Sequence, residues 1–154
     1  MKVFKKILIG LLVVFVLIQF YRPARNEYHG VVPAADISKS YNVPAAQMAV
    51  LKTSCYDCHS NNTVYPWYAN IQPVRFWLDD HISEGKRELN FSEFGNYPKK
   101  KQIRKLKSTV KEIKDGEMPL ASYTLIHRDA ALTDNEKIAL ITWAKSLQDS
   151  LGSH

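Results

Sequence analysis

Between Ile7 and Phe20 only Gly10 and Gln19 interrupt a run of Ile, Leu, Val and Phe, twelve residues of fourteen. Such a segment is apolar on every side, so it has no polar face to turn toward water and is no ordinary surface helix. Lys2, Lys5 and Lys6 precede it. A basic start followed by an apolar run is the pattern of an export signal, either cleaved or retained as an anchor. A cleavage site wants small residues after the apolar run, whereas Gln19-Phe20-Tyr21-Arg22-Pro23 is bulky, charged or cyclic. That favours an anchor. Length argues the other way, because fourteen helical residues rise only about 21 Å against a hydrocarbon core of roughly 30 Å. Val3 to Tyr21 reaches about 28 Å if the lysines snorkel to the headgroups. Residues 1–21 are therefore expected to form a transmembrane helix or a signal, with the lysines inside and the remainder exported.

The rest of the chain reads as a linker over residues 22–42, with Pro23, Gly30 and Pro33 and no sustained periodicity, followed by one globular domain over 43–154. No stretch alternates as a strand does, and the expected class is all-α. Asn42 is a candidate cap for a short helix over 45–52 with Pro44 in its first turn. A second helix is predicted from Val74 to Glu84, stopping at Gly85, and a third from Lys100 to Lys114, stopping at Gly116. On the third, Ile103, Leu106, Val110 and Ile113 fall within about 80° on a helical wheel. Thr133-Asp134-Asn135-Glu136 is a capping box opening a last helix, along which Leu140, Ala144, Leu147 and Leu151 form an apolar stripe.

Two cysteines in 154 residues exclude a disulfide scaffold. Both lie in Cys55-Tyr56-Asp57-Cys58-His59, the Cys-x-x-Cys-His signature of c-type haem attachment. Two thiols can add across the two haem vinyl groups to form thioethers, and a histidine directly after the second reaches the iron from the same face. The motif therefore assigns Cys55 and Cys58 to one covalent haem c and His59 to the proximal position on iron. Rival readings are weaker. A thioredoxin-like pair wants a βαβ context, a structural zinc site wants four closed ligands, and a disulfide across two residues would be strained.

For the sixth position on iron the candidate is Met118, which follows Gly116 and precedes Pro119, in a loop that leaves its thioether free to turn inward. Its competing role is core packing. His81 and His127 are alternatives that would lower the potential, and an open sixth position would suit a gas sensor or a peroxidase. Arg75 could pair with a propionate. The third helix also carries Lys100, Lys101, Arg104, Lys105, Lys107, Lys111 and Lys114, either a solvated face or a docking patch for an acidic redox partner. The net charge of +6 falls to +3 without Lys2, Lys5 and Lys6, and no nucleic-acid-reading motif accompanies it.

The order of helix, Cys55-x-x-Cys58-His59, further helices, Met118-Pro119 and a final helix resembles small bacterial class I cytochromes c. Cys55 to Tyr68, His81-Ile-Ser-Glu-Gly-Lys, Glu88-Leu-Asn-Phe-Ser-Glu and Gly116-Glu-Met-Pro-Leu are similar to a haem-binding domain family found in many bacteria. The resemblance covers roughly residues 43–152. It implies a cytochrome c-like helical domain with one covalent haem and a distal methionine in the loop before the final helix. The expected protein is a membrane-anchored one-electron carrier rather than an enzyme, on the periplasmic side of a bacterial inner membrane. An exported zinc or thiol protein is the remaining alternative.

Overall fold

The computed structural model describes residues 2–153; Met1 and His154 lie outside them. The described residues form α-helices and short 3₁₀ turns, with no strand among them. The order is α1 (Lys2–Ile18), α2 (Ile37–Ser40), α3 (Ala45–Ser54), α4 (Tyr56–His59), a 3₁₀ turn (Trp67–Asn70), α5 (Val74–Glu88), a second 3₁₀ turn (Phe91–Asn96), α6 (Lys99–Asp115), α7 (Ala121–Ile126), a third 3₁₀ turn (Arg128–Ala130) and α8 (Asp134–Gly152).

α1 is a helix as expected, but of 17 residues. That is about 26 Å at 1.5 Å per residue, short of a roughly 30 Å hydrocarbon core. No helix among the described residues is long and apolar enough to cross a membrane, so a transmembrane helix over residues 1–21 is not borne out. The helix stops at Ile18 because Gln19 is used otherwise. Its amide Nε2 donates to the Phe15 carbonyl (3.0 Å), capping the helix end, and to the Gln72 carbonyl (3.1 Å), while its Oε1 accepts from the Gln72 amide (2.9 Å).

Segment 22–42, expected as a linker, is instead laid along the body. The Arg75 guanidinium donates to the Pro23 carbonyl, and Asn26 bonds to Ser60, Thr63 and Tyr65. Ile37 is fully buried and Asp36 nearly so. The physical reason is compositional: Asp36 caps α2 through Ser38, which lets a four-residue helix drive one isoleucine into the core without any long periodicity.

That core is built mainly where α6 crosses α8. Leu106, Val110 and Ile113 of α6 meet Leu140, Ala144 and Leu151 of α8, with Ile37, Leu51, Phe91 and Phe94 completing it. Each of these side chains other than Ala144 contributes roughly 1.5–3 kcal/mol on burial. Gly116, at φ 76°, ends α6 in the left-handed conformation, and the Thr133–Glu136 capping box opens α8. Two boundaries differ from expectation. Pro44 rather than Asn42 stands at the start of α3, and the Asn42 carbonyl accepts from the Trp143 indole. α5 passes through Gly85 and continues to Glu88. Glycine there serves packing and not termination: a Cβ on Gly85 would stand 2.7 Å from the Cys58 carbonyl oxygen.

Candidate haem site

Cys55 ends α3 and begins α4, its φ of −132° breaking the helix so that the chain restarts for one turn, Tyr56–His59. This break turns Cys55, Cys58 and His59 toward one cleft. The cleft has two adjoining lobes of about 300 and 320 Å³, both lined by Cys55, His59, Glu88 and Met118. Cys58, His81, Leu120 and Tyr123 line the first, and Leu89, Phe91, Lys105, Thr109 and Ile113 the second.

His59 is oriented from behind. Its Nδ1 lies 2.9 Å from the Gly85 carbonyl oxygen and 3.0 Å from that of Leu89, so Nδ1–H donates to the end of α5 and Nε2 carries the lone pair. This backbone clamp on the remote nitrogen is the arrangement that fixes tautomer and ring angle in metal-binding histidines. Burial holds the imidazole below its ordinary range, against the opposing pull of the two carbonyls, so the ring stays neutral. Phe91 presents its ring edge-on to His59 and stacks on Tyr56.

Desolvation, reinforced by the charge of Cys58, pushes the Cys55 thiol up to about 12. Desolvation and the Asp57 charge push Cys58 to about 11. Both are therefore thiols at neutral pH in the unloaded cleft. Among the described residues no group of three or more His, Cys, Asp or Glu is placed to hold a metal ion by itself.

The two residues between the cysteines are structural ties. The Tyr56 hydroxyl donates to Asp36 at 3.2 Å, bonding the motif to the segment before it. The Asp57 carboxylate accepts from the Val64 amide at 2.9 Å and from the Tyr123 hydroxyl at 2.7 Å. Tyr123 lies on α7, directly after the Met118-Pro119-Leu120 loop, so Asp57 holds the loop bearing Met118 to the attachment motif. Burial, followed by the bond to Asp57, raises the Tyr123 hydroxyl far above the ordinary phenol range and keeps it a donor. Asp57 and Tyr123 were not among the residues expected from sequence. Only the acidic residue inside the motif was visible there, with no sign of its partner.

The alternative ligands fare unequally. His127 lines neither lobe. Its ring stacks on Tyr123 with centroids 4.5 Å apart, and its Nε2 lies 2.6 Å from the Tyr68 hydroxyl. His81 does line the first lobe, with Nδ1 2.8 Å from the Trp77 carbonyl oxygen and its ring against Trp77. Arg75 lines neither lobe: its buried guanidinium is neutralised by Asp79 and donates to the Pro23 carbonyl at the foot of segment 22–42. Lys105 is not a free docking charge. Its side chain is 15% exposed and bonds Glu88 at 3.1 Å on the rim of the second lobe.

The donor set fits haem. A neutral imidazole has one nitrogen free, two thiols share its wall, and a thioether from a separate loop borders the same cleft. A family model described as a haem-binding domain matches residues 13–146. No curated protein and no solved structure matches the chain. With most of its length covered by that match, and with this cleft at its centre, the chain belongs to the haem-binding domain family.

Proposed function

We propose that the protein is an exported monohaem c-type cytochrome, associated with a membrane through α1, that passes single electrons. The observation that carries this reading is the double backbone clamp on His59 Nδ1, with Cys55 and Cys58 lining the same cleft. A haem held there supplies a one-electron couple at its iron. The chain's own residues do the rest. Cys55 and Cys58 would tether the group, and His59 would offer Nε2 to its iron. Met118 would offer its thioether as the second protein ligand, on a loop steadied through Tyr123 and Asp57. Phe91, Leu89 and Ile113 keep water from the second lobe. Arg104, Lys107 and Lys114, exposed on α6, complement an acidic redox partner.

Expression alongside haem-attachment machinery tests this. The purified protein should be coloured and heavier by one haem, with both thiols blocked. A colourless protein with two free thiols would sink the reading. Ferric spectra then assign the ligand. Met118→Ala should abolish the Met–iron charge-transfer band and His81→Ala should leave it. A wild type that lacks the band and binds carbon monoxide without displacing a residue would point to an open-site sensor or peroxidase. Membrane association is read by flotation of the full chain with liposomes.

A further inference from the structure

The end of α1 is joined to the body by a tight, polar-cored joint. Gln19 and Gln72 exchange side-chain and backbone hydrogen bonds, and the Gln72 side chain reaches the Tyr21 carbonyl at 3.0 Å. Gln72 is itself buried, 2% exposed. The Tyr21 ring lies on that of Phe76, centroids 5.3 Å apart. The direction in which α1 leaves the domain is thus set, and so is the face of the domain surrounding its foot.

That face is apolar and aromatic. Phe20 and Tyr21 at the foot, Ile71 in the preceding loop, and Val74, Phe76 and Trp77 in the first turn of α5 are all exposed. Exposure of apolar side chains on α5 is confined to this turn. Further along, the exposed positions are Asp80, Ser83, Glu84, Arg87 and Glu88. The apolar surface therefore fades with distance from α1. Tyr and Trp favour the membrane–water interface, where an apolar ring and a polar edge are both satisfied. Arg22, exposed just beyond the foot, can reach anionic headgroups.

We propose that this collar is a second membrane contact: the haem-binding body sits on the bilayer through the first turn of α5, around the foot of α1. The occupant is lipid rather than a protein partner, because the patch is continuous with the all-round apolar surface of α1. It also answers the shortness of that helix, since the aromatic ring brings apolar surface to the interface where the helix ends. Trp77 packs at a tilt against His81, with ring centroids 4.4 Å apart, and His81 lines the first lobe of the cleft. The collar therefore places that edge of the haem site toward the membrane.

The proposal rests on the membrane association of α1 proposed above, and one experiment separates the two. The full chain is reconstituted in phosphatidylcholine–phosphatidylglycerol vesicles and footprinted with hydroxyl radicals, each residue normalised to its exposure and intrinsic reactivity. Leu125, Ile126 and Ile138, exposed elsewhere on the body, are the internal reference. Labelling of Phe76 and Trp77 is expected to fall severalfold below that reference, together with residues 7–17. If residues 7–17 are protected while Phe76 and Trp77 are labelled in proportion to their exposure, the collar is overturned and the association of α1 stands. If residues 7–17 are labelled as well, both readings fall.

Discussion

The Tyr123 hydroxyl donates to the Asp57 carboxylate at 2.7 Å, across 66 residues of sequence. The bond connects the middle of the attachment motif to the helix that follows Met118. It makes the cleft a single unit rather than a motif and a loop that happen to face each other. A hydrogen bond to a charged group contributes about 1.5–3 kcal/mol. Tyr123→Phe should cost about that much in urea unfolding and should loosen the Met118 side of the site. Asp57→Ala should cost more, because the Val64 amide loses its partner too. A double-mutant cycle reads the direct coupling, and additive effects of the two substitutions would show that the bond does not act as a tie.

Gly85 offers a steric test. In an exposed helix interior, Gly→Ala would gain up to about 1 kcal/mol from helix propensity. Here the added methyl would meet the Cys58 carbonyl oxygen at 2.7 Å. Overpacking of this kind costs about 1–3 kcal/mol, so Gly85→Ala should destabilise the protein despite the better helix former. Because the displaced element carries Cys58, the yield of haem-loaded protein should fall as well. Thermal unfolding and absorbance per mole of protein check the two effects separately.

Ile37 tests whether segment 22–42 belongs to the folded body. A true linker residue could be replaced without effect. Ile37 is fully buried in the main core, and truncating a buried isoleucine to alanine costs about 2–5 kcal/mol. Ile37→Ala should lower the urea midpoint with little change in slope, whereas Val31→Ala, at an exposed position of the same segment, should change neither.

The capping box of α8 carries a pH signature. Glu136 accepts from the Thr133 hydroxyl and amide, which holds its carboxyl below the usual carboxylate range. A carboxylate depressed in the folded state stabilises it above the unfolded value, near about pH 4.3, and that contribution is lost as pH falls through the lower folded value. Thr133→Ala should cost about 1 kcal/mol at neutral pH. The gap between variant and wild type should narrow in acid, and urea titrations at neutral and acidic pH measure it.

The features legible in the sequence are the local ones. Cys-x-x-Cys-His, the capping box and the glycine that ends α6 each work within a few residues, so the chain alone specifies them. The apolar stripes of α6 and α8 were equally plain, because helical period and burial coincide there. Sequence also placed Met118 at the cleft, through its position after Gly116 and before Pro119. Contacts distant along the chain decided the rest. Gly85 has the sequence context of a helix stop, and only the packing of α5 sets it against the Cys58 carbonyl. Arg75 and Lys105 looked available, but ion pairs with Asp79 and Glu88 claim them. Segment 22–42 has the composition of a linker, and only the burial of Ile37 and the bonds of Asn26 make it part of the body. Sequence by itself determined which residue types the site is built from, because Cys-x-x-Cys-His is a local signature with fixed spacing. Tertiary structure alone decided how the site is held, because the carbonyls of Gly85 and Leu89, and the pairing of Asp57 with Tyr123, arise only when remote helices pack together.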